Sequence, residues 1–245
     1  MTALRLDERL ADAHTALAHA KLHSLDWDGA EQEFRRAIQL NPGYAPAHAY
    51  YANLLTGRGR FDEGIAAARE ALRLDPVSTV AEARVAILLY IAGRLDEALE
   101  SSQKVIEMEP GRPVAYEDQG RILLAKGARS VAIAAPEKAV SLSQRSARFL
   151  ASLGYAFGVT GRADLAREVL AELTAMSKER YVTSFDFALV TAGLGESDRA
   201  IDWLEQACAE RDSHLPFLQV DPRLTSLRTD LRFKALLKRV GLQAV

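Results

Sequence analysis

Cys208 is the only cysteine in 245 residues, which excludes an internal disulfide and fits a reducing setting such as the cytoplasm. No apolar run approaches the ~20 residues that a membrane-spanning helix needs. The opening Met1-Thr2-Ala3-Leu4-Arg5-Leu6-Asp7 is too short and too polar for a secretory leader. Neither sign of charge is in excess: 31 Lys and Arg stand against 33 Asp and Glu, a formal net charge of -2. That balance argues against a general binder of nucleic acid or anionic membranes. Catalytic signatures are missing as well: there is no G-x-x-x-x-G-K-[ST] phosphate loop, no H-E-x-x-H, no G-x-S-x-G and no paired C-x-x-C. Cys208 has no activating base beside it in the sequence and reads as a buried small residue. His19 and His23, four apart on one expected helix, lack a third ligand, so no metal and no cofactor is expected.

What the chain does have is a period. Pro42, Pro76 and Pro110 lie 34 residues apart. Gly59, Gly93, Gly127, Gly161 and Gly195 recur at the same interval, as do Asp28, Asp62, Asp96, Ser130, Asp164 and Asp198. Three series in one register define units at 11–44, 45–78, 79–112, 113–146, 147–180 and 181–214. Each anchor has a physical task. Glycine at unit position 15 can take the left-handed backbone that ends a first helix. The Asp or Ser at position 18 is expected to cap the second helix, with Glu31 completing a capping box on Asp28. Proline at position 32 stops the second helix. Small residues at position 8 (Ala18, Ala52, Ala86, Gly120, Gly154, Ala188) and at position 20 (Ala30, Gly64, Ala98, Ala132, Ala166, Ala200) mark where helices approach closely. Unit 4 departs from the pattern: Pro136 falls at position 24, inside its second helix, and predicts a kink or a shortened helix.

Large at 4, apolar at 7, small at 8, apolar at 11, Gly at 15, Ala at 20, apolar at 24, Ala at 27 and Pro at 32: in this pattern residues 11 to about 214 resemble tetratricopeptide repeats. The resemblance implies an all-α, right-handed α-solenoid of six helix-turn-helix repeats. His14 and His48, both at position 4, then read as packing residues. Positions 2, 5, 9 and 12 of such repeats face a concave groove. Carried over, they give candidate partner-binding residues His19, Asn53, Tyr90, Glu117, Arg121, Tyr155 and Phe185. Ala49, Ala83 and Ile87 stand where a charge clamp for a terminal carboxylate would need Lys and Asn. The expectation is therefore an extended or helical peptide held by Tyr90, Tyr155 and Phe185, with Arg121 and Asn53 supplying hydrogen bonds.

Both ends add expectations. Ala3-Leu4-Arg5-Leu6-Asp7 repeats Ala71-Leu72-Arg73-Leu74-Asp75, so residues 1–10 read as the remnant of a preceding repeat. In 215–245, Asp230 is placed to cap a final helix with Phe233, Leu236, Leu237 and Val240 on one stripe and Gly241 ending it, a cap over the exposed face of unit 6. Its cations, Arg223 and Arg232 among them, are expected on the solvated face. The stretch from Asp26 to Ile38 and the tail around Val220-Asp221-Pro222-Arg223-Leu224 resemble C-terminal repeat regions of bacterial signalling proteins. In those, the repeats follow a winged-helix DNA-binding domain, a nucleotide cyclase or a Ser/Thr kinase. Two functions remain: a non-catalytic module for a protein or peptide partner, or the regulatory half of a regulator whose effector domain is missing from this chain. Neither membrane nor, for this chain alone, nucleic acid is an expected partner.

Overall fold

A computed structural model of the chain describes residues 9–242, and the proposed remnant at 1–10 falls almost wholly outside them. The helices come in pairs: α1 (Ala11–His23) with α2 (Trp27–Leu40), α3 (Ala45–Gly57) with α4 (Phe61–Leu74), and α5 (Thr79–Ile91) with α6 (Leu95–Met108). They continue as α7 (Pro113–Ala125) with α8 (Ala134–Leu142), α9 (Ala147–Val159) with α10 (Ala163–Met176), and α11 (Ser184–Gly193) with α12 (Ser197–Ala209). Two 3-10 turns, Leu215–Phe217 and Pro222–Leu227, lead to a last helix, α13 (Leu231–Arg239). No strand occurs among the described residues.

The small positions explain the pairing. Ala18, Ala52, Ala86 and Ala188 at position 8, and Ala30, Ala98, Ala132, Ala166 and Ala200 at position 20, are fully enclosed, so backbones approach where a larger side chain would hold them apart. Phe34, Phe185 and Phe233 fill the space between pairs with no more than 1% exposure, each contributing about 1.5–3 kcal/mol of apolar burial. The turn between paired helices uses one backbone geometry. Gly59, Gly93, Gly127, Gly161 and Gly195 all have φ between 76 and 84°. In the first pair Leu25 holds the same left-handed conformation at φ 65°, strained for a residue with a Cβ.

Capping differs from the sequence expectation. Asp26, not Asp28, caps α2, its side chain accepting from the Gly29 N–H at 3.0 Å. Asp28 lies inside the first turn, where its charge faces the positive end of the helix dipole. Glu31 makes no capping box; it accepts from Arg35, Tyr51, Arg58 and Arg60 at 2.7–3.1 Å. A capping box does form elsewhere, between Thr183 and Asp186 at the start of α11. Pro136 acts as its position requires. It sits at the third residue of α8, where a missing N–H costs nothing, and α8 runs for 9 residues against 14 in α6 and α10. Its ring rests on Gly120, where a Cβ would meet Pro136 Cδ and Cγ at 2.5 Å.

The tail departs most from expectation. Instead of only covering the last pair, Leu215–Phe217 packs against α1 and α3, while Pro222–Leu227 packs against α11 and α12. One continuous apolar cluster joins Leu22, Trp27, Phe34 and Leu54 to Leu204, Leu215, Leu224 and Phe233. Two long-range hydrogen bonds fix the closure: Trp27 Nε1 donates to the Val240 carbonyl at 3.0 Å, and Gln219 Nε2 donates to the Gly57 carbonyl at 2.7 Å. Gly241, at φ 74°, lies directly against the Trp27 ring. First and last repeats are thereby tied together through the C-terminal segment.

Candidate functional site

The first helix of each pair contacts the first helix of the next, and this wall is the one that the groove positions were expected to line. The C-terminal segment occupies much of it. Phe185 is 1% exposed and stacked on His214, with ring centroids 4.4 Å apart. Tyr90 is 4% exposed and Glu117 1%. The expectation that Tyr90 and Phe185 grip a partner from an open groove is therefore corrected: both are covered, Phe185 by the tail's own side chains. His19 is half-buried against Tyr50 and His23, its ring Nε2 3.2 Å from that of His23. Burial, together with His23 and Arg84, lowers its pKa. Tyr155 is half-buried at the α9–α11 contact, where Gly193 meets its backbone.

Glu117 belongs to an internal ion network. It accepts from Arg121, from Arg148 at 2.8 Å and from the Ser152 hydroxyl. Burial would raise its pKa, but the two guanidinium groups and the hydroxyl outweigh that and hold it down at about 2. Its neighbour Asp118 goes the other way: burial pushes it up to about 7 against the pull of Arg121. From the tail, Arg223 pairs with Asp221 through contacts of 2.6–3.2 Å and is 6% exposed. This corrects the placing of Arg223 on a solvated face. Arg232 is at the surface, paired with Asp198 and Asp230.

Between the tail and the wall a cavity of about 380 Å³ remains. Asn53 reaches it from α3, Val80, Arg84, Ile87 and Tyr90 from α5, and Val114, Asp118 and Arg121 from α7; Phe217, Asp221 and Arg223 close it from the tail side. Of the seven candidate residues the structure brings together Asn53, Tyr90 and Arg121 at this cavity, with Glu117 behind Arg121. His19, Tyr155 and Phe185 do not line it. Arg84 was missed by the sequence reading, since it sits at position 6, outside the groove-facing set. Among the described residues there is no cluster of three or more potential metal ligands, and no helix is long and apolar enough to cross a membrane. Cys208 is half-buried and unpaired, with burial raising its pKa.

A family model for the tetratricopeptide repeat matches residues 21–87. No curated protein matches the sequence. Among solved structures, one from the functional characterisation of Pseudomonas aeruginosa pilF is 18% identical, covering 86% of this chain and 96% of that one with a TM-score of 0.58. PilW, a widely conserved type IV pilus biogenesis factor, is 16% identical over 85% of this chain and 96% of its own, at a TM-score of 0.62. The Cut9–Hcn1 assembly of the APC/C gives 0.66 with 19% identity, over 97% of this chain and 44% of that one. At these identities the likeness is one of fold: an α-solenoid of tetratricopeptide repeats.

Proposed function

We propose that the chain is a non-catalytic interaction module that receives a segment of a partner protein at the mouth of the concave wall, over α5, α7 and α9. One observation carries this reading: the tail leaves the lip of that stretch open, with Val80 51% exposed and the Arg148 side chain 47% exposed. An exposed apolar residue beside arginine is the mixture from which binding surfaces draw their anchors. Asn53 and Arg121 keep the hydrogen-bonding roles proposed for them, while Glu117 orients Arg121. The single cysteine favours a cytoplasmic setting.

A photo-crosslinker placed at Val80 should trap a partner, whereas one at Leu165, 38% exposed on the outer helix α10, should not. Equal trapping at both positions would sink the concave-mouth reading. The likeness of residues 26–38 and of the tail to repeat regions of bacterial signalling proteins supports a narrower version, in which the array regulates an effector domain. A winged-helix, cyclase or kinase domain in the same reading frame is what that version requires.

A further inference from the structure

Five arginines, Arg84, Arg112, Arg121, Arg148 and Arg223, line the cavity. Four have carboxylate partners: Arg112 meets Glu109 at 3.0 Å, Arg121 and Arg148 share Glu117, and Arg223 holds Asp221. Arg84 has none among the described residues. Its guanidinium lies 5.5 Å from the Tyr50 ring centroid, and its Nε is buried without a hydrogen-bond acceptor. A half-buried guanidinium with an aromatic face beside it but no carboxylate is only partly compensated, and desolvation pulls its pKa below the ordinary value, with Tyr50 opposing. Arg84 is thus the one arginine of the cavity without a carboxylate partner among the described residues. The apolar part of the cavity's lining comes from Val80, Ala83, Ile87, Val114 and Phe217, among others.

We propose that this cavity binds a small organic monocarboxylate with a short apolar or aromatic body, its carboxylate paired with Arg84 and its body against Val80, Ile87, Val114 and Phe217. The fork of N–H groups on a guanidinium matches a carboxylate bidentately. A single carboxylate supplies the partner that Arg84 lacks, and the apolar part of the lining favours an organic body over a bare phosphate. The volume lies near the lower end of the range for small-molecule pockets, roughly 300–1,000 Å³, which limits the body to about the size of one ring or a short chain. This inference goes beyond the protein-partner reading and does not depend on it.

The test titrates the intact chain with 3-phenylpropionate by calorimetry and ligand-observed NMR. 3-Phenylpropan-1-ol (same body, no charge), acetate (charge, no body) and an end-blocked glutamyl dipeptide run in parallel. Phenylpropionate should bind at least about tenfold more tightly than the alcohol or acetate. Arg84→Gln should cost about tenfold or more, Arg84→Lys less, because the point charge survives without the fork. Val80→Trp, at a half-exposed residue of the lining, narrows the cavity without touching the helix core and should weaken binding too. Equal affinity for acid and alcohol, an Arg84→Gln protein that binds as before, or no saturation by phenylpropionate or octanoate below about 10 mM would each overturn the proposal. Binding of the blocked peptide but not the free acids would overturn it as well, and would assign Arg84 to an acidic side chain of a protein partner.

Discussion

Gly57→Ala tests the tail's docking by the sign of its effect. Gly57 is the last residue of α3, and its φ is not positive. In a helix end facing solvent, replacing such a glycine by alanine gains up to about 1 kcal/mol. Here a Cβ would lie 3.3 Å from the Pro216 carbonyl carbon and closer still to its oxygen. That group is backbone, held in the 3-10 turn Leu215–Phe217 against α1 and α3, so it cannot rotate away as a flexible side chain would. Overpacking of this kind costs about 1–3 kcal/mol. Displacing the turn also endangers the 2.7 Å bond from Gln219 to the Gly57 carbonyl, about 1 kcal/mol more. Set against the propensity gain, the net expectation is a loss of about 1–3 kcal/mol. Urea unfolding gives the free energy, and amide exchange over 216–227 shows whether the loss is centred on the tail. A Gly57→Ala protein as stable as the parent or more so, with unchanged exchange in that segment, refutes this docking of the tail.

Three further outcomes are expected. Gly93→Ala should cost about 1 kcal/mol although a Cβ there meets nothing within 4 Å, because φ is +77°; a neutral result in thermal melts would dismiss backbone geometry as the reason for the glycine series. Gly120→Ala should cost about 1–3 kcal/mol through the Pro136 ring. Pro136→Ala in the same chain should recover much of it, and additive effects in the double-mutant cycle would contradict that contact. Asp118 sets a pH dependence. Its folded pKa, raised by burial to about 7, stands above its unfolded value near 4, so its contribution is complete below about pH 4 and is lost as pH rises to about 7. The free energy of unfolding of Asp118→Asn relative to the parent should therefore grow more favourable across that window, and a flat difference would mean that Asp118 ionises normally.

The period was legible because its cause is local. A turn that needs left-handed backbone selects glycine, and a helix crossing that needs close approach selects alanine; both recur every 34 residues whatever happens elsewhere. Caps were less legible. Asp26 and Asp28 flank Trp27, and only the starting residue of α2 decides which side chain reaches the free N–H groups. Groove residues were read on the premise of an empty concave wall, so Phe185 and Tyr90 became ligands rather than packing. The contrary signal was in the tail: Leu215, Leu218, Leu224 and Leu227 are too many apolar residues for a segment covering one helix pair. Where those residues land depends on the curvature accumulated over six units, which no single repeat encodes. Arg84 escaped notice for a related reason: only the folded neighbourhood shows that it alone of the cavity's arginines has no carboxylate.

Closure changes the energetics expected of an array. In an open solenoid each repeat contacts only its neighbours, stability is close to a sum of repeat and nearest-neighbour terms, and the ends are the weakest units. Here Trp27 and Gly57 of the first two repeats are bonded to Val240 and Gln219, and Leu22, Phe34 and Leu54 share one core with Leu204, Leu224 and Phe233. The first repeat therefore cannot open without exposing apolar surface on the last, and end-fraying should be suppressed at both termini together. The same closure determines what remains accessible. By covering the wall at α1, α3 and α11 the tail leaves the α5–α7 segment as the open part of the concave face, and there its own Phe217 and Arg223 become the far wall of the cavity. A ligand seated on Arg84 would touch the array on one side and the tail on the other, so its binding energy would add directly to the contacts that keep the ring closed.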